Sequence, residues 1–167
     1  RAAGMGANVI VTEIDPFKAL DATMNGFRVM TMADAAPLGD VFVSVTGCKD
    51  VITAEHYAVM KPDALLSNAG HFDCEVDVKW LNEHAVDKWE QREGITGYRL
   101  ADGKVLNVLA EGRLVNLAGG NGHPAEIMDM SFSVQALAAE WVAKHKGELE
   151  KKLYQIPAEI DDQIGWA

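Results

Sequence analysis

The chain has 167 residues, 49% of them hydrophobic and 24% charged, which is enough apolar material for one sizeable core. Its 25 acidic residues against 15 basic ones give a formal net charge of -10, which argues against a nucleic-acid backbone or an anionic membrane surface as partner. No apolar stretch reaches the ~20 residues that span a bilayer and the start has no signal-peptide pattern, so the expected location is the cytoplasm.

In chain order, Asn8 to Thr12 reads as a buried strand, and Pro16 opens a helical stretch, PFKALDATMNG, whose Phe17, Leu20 and Met24 recur at helical spacing until Gly26. A short strand FRVM, a small helix at ADAAPLG and the near-continuous apolar strand DVFVSVTG follow. Thr53 is placed to cap a helix at TAEHYAVM, and the strand ALLSNAG comes next. Strands alternating with helices imply a doubly wound parallel sheet, an α/β fold.

The second half differs. In YRLADGKVLNVL, Asp102-Gly103 lies between two alternating runs, the signal of a tight β-hairpin. A further strand is expected at RLVNL, then a loop at AGGNG, and Pro124 opens a long helix to about Lys144. Its stripe of Ile127, Met130, Val134, Leu137 and Trp141 suits docking on a sheet, with the methionines as filler. Two cysteines, Cys48 and Cys74, make neither a CxxC pair nor a disulfide framework and are expected to be reduced core thiols; no metal site is expected.

Chemistry enters at the exit of the first strand. In a dinucleotide-binding unit, a strand and glycine-rich turn lead into a helix, and an acid ending the second strand accepts hydrogen bonds from the adenosine ribose hydroxyls, favouring NAD over NADP. RAAGMGANVIVTE fits the second half of such a unit, with a helix tail, a Gly4/Gly6 exit, the second strand and Glu13 at its tip. The first strand and its glycine turn are then expected before Arg1, in a longer chain. A solvated strand terminus is the rival reading of Glu13.

Two further loops fall at the carboxyl ends of strands, where open parallel sheets bind ligands. Thr46-Gly47-Cys48 follows one, and Ser67-Asn68-Ala69-Gly70-His71-Phe72-Asp73 follows the next. Their glycines allow a flat ligand close to the backbone. Asn68 suits either shaping its loop or touching ligand. Asp73, Glu75 and Asp77, on alternate positions of an extended segment, are expected to share a solvated face, and His56, His84 and His145 to lie on the surface.

VTEIDP, FVSVTGC, NAGHFDCEVDVKWL, LAEGRLVNL and GHPAEIMDMSF, in this order, resemble the NAD-binding domain and C-terminal portion of S-adenosyl-L-homocysteine hydrolase, nearly to Ile160. The resemblance implies a Rossmann-like fold without its first strand and Gly-rich turn, with residues 1–122 as a partial NAD-binding domain. Residues 123–167 would be a helix and tail that pack back on the sheet or onto a partner subunit. The family reversibly hydrolyses S-adenosylhomocysteine to adenosine and homocysteine, using tightly bound NAD for a transient oxidation at the ribose 3' position. By the same resemblance Glu13 is the ribose-binding acid, and Thr46 and Gly47 lie beside the cofactor. Ala69, Gly70 and His71 pass the nicotinamide, with His71 a catalytic candidate, and Asn116 holds the carboxamide with its paired donor and acceptor. His123 falls at the adenosine end of the substrate.

Certain features depart from the family pattern. Lys18 stands where many relatives carry an asparagine, AGGNGHP replaces a run of smaller residues, and the Lys and Tyr of the extended tail have no counterpart after EIDDQIGWA. The catalytic acids, lysine, asparagine and cysteine of the family's substrate domain lie upstream of the matched part, so no hydrolysis is expected from this chain alone. The parent is expected to be a homo-oligomer, commonly a tetramer. Two alternatives remain: a catalytically silent NAD-binding regulator, and a protein like the NAD-dependent 2-hydroxyacid dehydrogenases.

Overall fold

The computed structural model describes residues 1–165 and divides into two units, Arg1–Gly120 and Asn121–Ala167. In the first, a turn at Ala3–Met5 ends on Gly6, whose φ of 91° is the left-handed cap expected of a helix exit. Strand β1 (Ile10–Thr12) runs into helix α1 (Pro16–Met24), capped by Asp15, whose carboxylate accepts the amides of Phe17 and Lys18, with Pro16 at the first helical position. Strand β2 (Arg28–Met30) pairs parallel with β1. Helix α2 (Met32–Ala35), strand β3 (Val41–Ser44), helix α3 (Ala54–Val59) and strand β4 (Ala64–Asn68) complete the alternation.

The parallel strands fall into two sheets. β1 and β2 form a pair, while β3 and β4 belong to a five-stranded sheet of order β3-β4-β7-β6-β5, in which β7 (Val105–Leu109) is parallel to β4. Among the described residues no strand links β1 to β3, so each keeps an unpaired edge, as expected of a Rossmann-like sheet without its first strand.

The Asp102-Gly103 hairpin forms, joining β6 (Ile95–Arg99) to β7 in antiparallel register. Sequence patterning missed helix α4 (Val78–His84) and strand β5 (Asp87–Arg92), which pairs antiparallel with β6. The strand expected at RLVNL does not form. Ala110, Glu111 and Gly112 all have positive φ (50°, 55° and 76°) and reverse the chain, leaving one bridge between Leu114 and Asn68 before helix α5 (Val115–Ala118).

The core lies in the five-stranded part, with Tyr57, Leu66, Leu81, Tyr98, Leu106 and Val108 fully buried. Each contributes ~1.5–3 kcal/mol relative to exposure. The Lys104 ammonium, on the hairpin, donates to the carbonyls of Tyr57 (2.8 Å), Ala58 (2.7 Å) and Met60 (3.3 Å), satisfying the open end of α3.

Some burial differs from expectation. β3 is covered on one face only: Phe42 and Ser44 are buried, and Val41 and Val43 are exposed. The α1 stripe of Phe17, Leu20 and Met24 is exposed too. Cys48 is exposed and Cys74 half-buried, so neither is a core thiol. His56 is buried rather than on the surface, because its Nδ1 accepts the amide of Thr53, the N-cap of α3.

The second unit consists of α6 (Ala125–Lys144), opened by Pro124, and α7 (Ala158–Gly165), which pack together. Trp141 packs against His145 and Tyr154. Ile127, Met130 and Phe132 are exposed, and no residue of α6 is buried.

Candidate cofactor site

The tip of β1 carries Glu13. Its Oε1 accepts the amides of Ile14 (2.7 Å) and Asp15 (2.9 Å), which fixes the turn into α1. Those two backbone hydrogen bonds, Asp15 first, hold its carboxyl below the usual carboxylate range. Among the described residues only Oε1 is engaged, so an ionised Oε2 is open to accept hydroxyl protons.

The tips of β3 and β4 are tied together. Their register sets Ser44 opposite Asn68, and the Ala69 amide donates to the Ser44 carbonyl at 2.8 Å. Asn68 is fully buried and uses both ends of its amide. Its Nδ2 donates to the carbonyls of Phe72 (2.7 Å) and Gly112 (2.8 Å), and its Oδ1 accepts the Gly70 amide at 2.7 Å. Asn68 therefore shapes its loop and joins it to the turn after β7.

Glu75 overturns the expectation of a solvated acidic face. Asp77 caps α4 through the Trp80 amide and Asp73 is exposed, but Glu75 has no exposed surface. Its backbone carbonyl accepts the amides of Val51 and Ile52, and an Ile52–Val76 bridge turns its side chain inward. The carboxylate reaches across to the β3 loop. Oε2 accepts the Thr46 amide (2.9 Å) and hydroxyl (3.0 Å), and Oε1 accepts the Gly47 amide (2.6 Å). Burial pushes the Glu75 carboxyl up, but the hydrogen bonds from Thr46 and Gly47 outweigh it and leave the group below its ordinary value. The Thr46 hydroxyl also accepts the Cys48 amide at 3.0 Å, so Thr46 and Gly47 spend their donors within the protein.

Gly70 is required by this packing. A Cβ there would stand 1.7 Å from Glu75 Oε1 and 3.0 Å from Asn68 Oδ1. Beyond it His71 is exposed, its ring edge-on to Phe72 with centroids 4.7 Å apart. Asn116 is exposed on α5, and His123, exposed at the bend before α6, belongs to the second unit. The first unit thus brings Thr46, Gly47, Ala69 and Gly70 together around Glu75, which sequence patterning misassigned. The signal available was the pair of glycines, Gly47 and Gly70, that flank it in space.

A strand-end acid with one free oxygen, and paired loops at the carboxyl ends of two neighbouring parallel strands, define a dinucleotide-binding α/β domain. These residues fit NAD: the Glu13 carboxylate suits the ribose diol, and the exposed Asn116 amide offers both a donor and an acceptor. Residues 1–122 match the family described as S-adenosyl-L-homocysteine hydrolase, NAD binding domain. The chain is 58% identical over 164 residues to an adenosylhomocysteinase of Aquifex aeolicus and 54% identical to one of Thermococcus kodakarensis, covering 98% of this chain and 39% of each relative. An S-inosyl-L-homocysteine hydrolase of Methanopyrus kandleri is 52% identical over 165 residues, again 98% of this chain and 39% of the relative. The chain belongs to the S-adenosyl-L-homocysteine hydrolase family, with residues 1–122 in its NAD-binding domain, and NAD is the cofactor of that domain.

Proposed function

We propose that this chain is the cofactor-binding portion of an enzyme that reversibly hydrolyses S-adenosyl-L-homocysteine to adenosine and L-homocysteine. The observation that carries the reading is Glu13, with one oxygen committed to its own turn and the other free at the tip of β1. In a doubly wound fold the β1–β2 half takes the adenosine end of NAD and the β3–β4 half takes the nicotinamide end. Bound NAD supplies reversible hydride abstraction from the substrate ribose.

This chain's own residues bind and orient. Glu13 accepts the adenosine ribose hydroxyls and repels a 2'-phosphate. Thr46 and Gly47 face the nicotinamide end with the threonine methyl and the glycine backbone, their donors being held by Glu75. Ala69 and Gly70 form the adjoining wall, and Asn116 pairs with the carboxamide in both directions. The ring nitrogens of His71 are free of protein partners among the described residues, which leaves them available to the reacting ribose, and His123 serves the adenosine end of the substrate.

The chain spans 39% of the length of these relatives, and hydrolysis is assigned to the whole protein, with residues 1–122 as its NAD-binding part. That protein is proposed to be a homo-oligomer, a tetramer, with the exposed Ile127, Met130 and Phe132 of α6 as apolar surface for a second copy.

Calorimetric titration of NAD and NADP into the whole protein and into this chain, with Glu13→Ala as control, tests the reading. NAD is expected to bind the whole protein more tightly than NADP, and Glu13→Ala to abolish that preference. Equal binding of both cofactors by the wild type would overturn the role of Glu13. Turnover of S-adenosyl- against S-inosyl-homocysteine then tests the base: faster hydrolysis of the inosyl compound would overturn the substrate.

A further inference from the structure

We propose that Glu75 is a positioning residue that locks the β3 and β4 loops into one platform for the nicotinamide end of the cofactor. This rests on the cofactor reading above.

The loops come from separate strands, and the main-chain link between them at their roots is the Ala69 amide to the Ser44 carbonyl. Beyond that point, among the described residues, the side chain that reaches the Thr46-Gly47 turn from elsewhere in the chain is that of Glu75. Glu75 takes both amides and the Thr46 hydroxyl, with one oxygen for each residue. A carboxylate is the one side chain of this size that offers two acceptors and no donor. Glutamine would turn an N–H toward an N–H at one of the two residues.

The β4 loop is fitted to the same oxygen. Gly70 leaves the space that Glu75 Oε1 fills, and the Gly70 amide is held by Asn68, so moving the carboxylate moves Gly70 as well. No ion pair engages Glu75 among the described residues: backbone amides and a hydroxyl balance its charge, and losing it unlatches both loops. The β1 tip, where Glu13 stands, is fixed by its own turn and takes no hydrogen bond from Glu75. The two ends of the cofactor should therefore respond separately.

The test uses the whole protein that carries this chain. Equilibrium affinities for NAD and for ADP-ribose, which lacks the nicotinamide ring, are measured for the wild type, Glu75→Gln and Glu75→Asp, together with hydrogen exchange at the Thr46 and Gly47 amides. With Glu75→Gln, NAD affinity is expected to fall about tenfold, ADP-ribose affinity to stay within about twofold, and the two amides to lose protection, as loss of charge-assisted bonds implies. Glu75→Asp, which keeps the charge but is one methylene shorter, should give an intermediate NAD loss, and carries the test if Glu75→Gln does not fold. Equal losses for both ligands, or unchanged NAD affinity, would overturn the proposal. Wild-type protein that binds ADP-ribose and NAD equally well would do so too, and failure to bind either would instead overturn the cofactor reading on which it stands.

Discussion

Around β3 and β4 the loops lead back to a buried polar group, Asn68 or Glu75, whereas around β1, α1 and β2 no residue is buried at all. Both regions are two-stranded parallel βαβ units at the level of sequence. They differ in what lies beyond: β4 has β7 on its other side and the core of Leu66, Leu106 and Val108 beneath it, while β1 pairs with β2 alone. A parallel pair gains its stability from coverage on both faces. The same local pattern thus yields a self-supporting half-site in one place and an exposed one in the other.

The largest expected contrast is in hydrogen exchange of the 167-residue chain. Amides of β4 and β7 should exchange only on global unfolding, those of β1 orders of magnitude faster, and equal protection would break the comparison. Next, Leu106→Ala should cost ~2–5 kcal/mol by chemical denaturation, against less than ~1 kcal/mol for Leu20→Ala on the exposed face of α1. Asn68→Ala leaves the buried Gly112 carbonyl and Gly70 amide, and the half-buried Phe72 carbonyl, without their partner and should cost ~2–4 kcal/mol, more than any single polar change around Glu13.

A smaller effect concerns acid. Because the Glu75 carboxyl titrates lower in the folded chain than its ordinary 4.5, the unfolded chain takes up the proton first as pH falls. Its stabilisation is complete above the ordinary value and is lost as pH drops through the lower folded one. Unfolding at stepped pH should show that loss in the wild type and less of it in Glu75→Gln. The smallest stability change is expected at Glu13, where Glu13→Gln should leave the melting temperature within a degree or two while weakening NAD, since the group is solvated and its role is directed outward.

Legibility followed the range of the forces. The helix starts at Pro16 and Pro124, the Asp102-Gly103 hairpin and the alternation of strand and helix rest on contacts a few residues apart, and each was readable. β5 was missed because DKWEQR is mostly charged and pairs at the edge through its backbone. RLVNL was misread because its apolar alternation is that of a strand, while three left-handed residues before it, two of them not glycine, turn the chain away. Asp73, Glu75 and Asp77 are indistinguishable by type and spacing, yet one is exposed, one buried and one a helix cap.

The sequence by itself determined the α/β class, the family and the acid at the strand tip, because periodicity, caps and motifs act over short stretches of chain. Only the tertiary structure decided that Glu75 faces inward, that Gly70 must lack a side chain beside it and that Asn68 is committed to the loops. Those three facts depend on residues up to 44 positions apart meeting in a low-dielectric interior, where every donor and acceptor must find a partner.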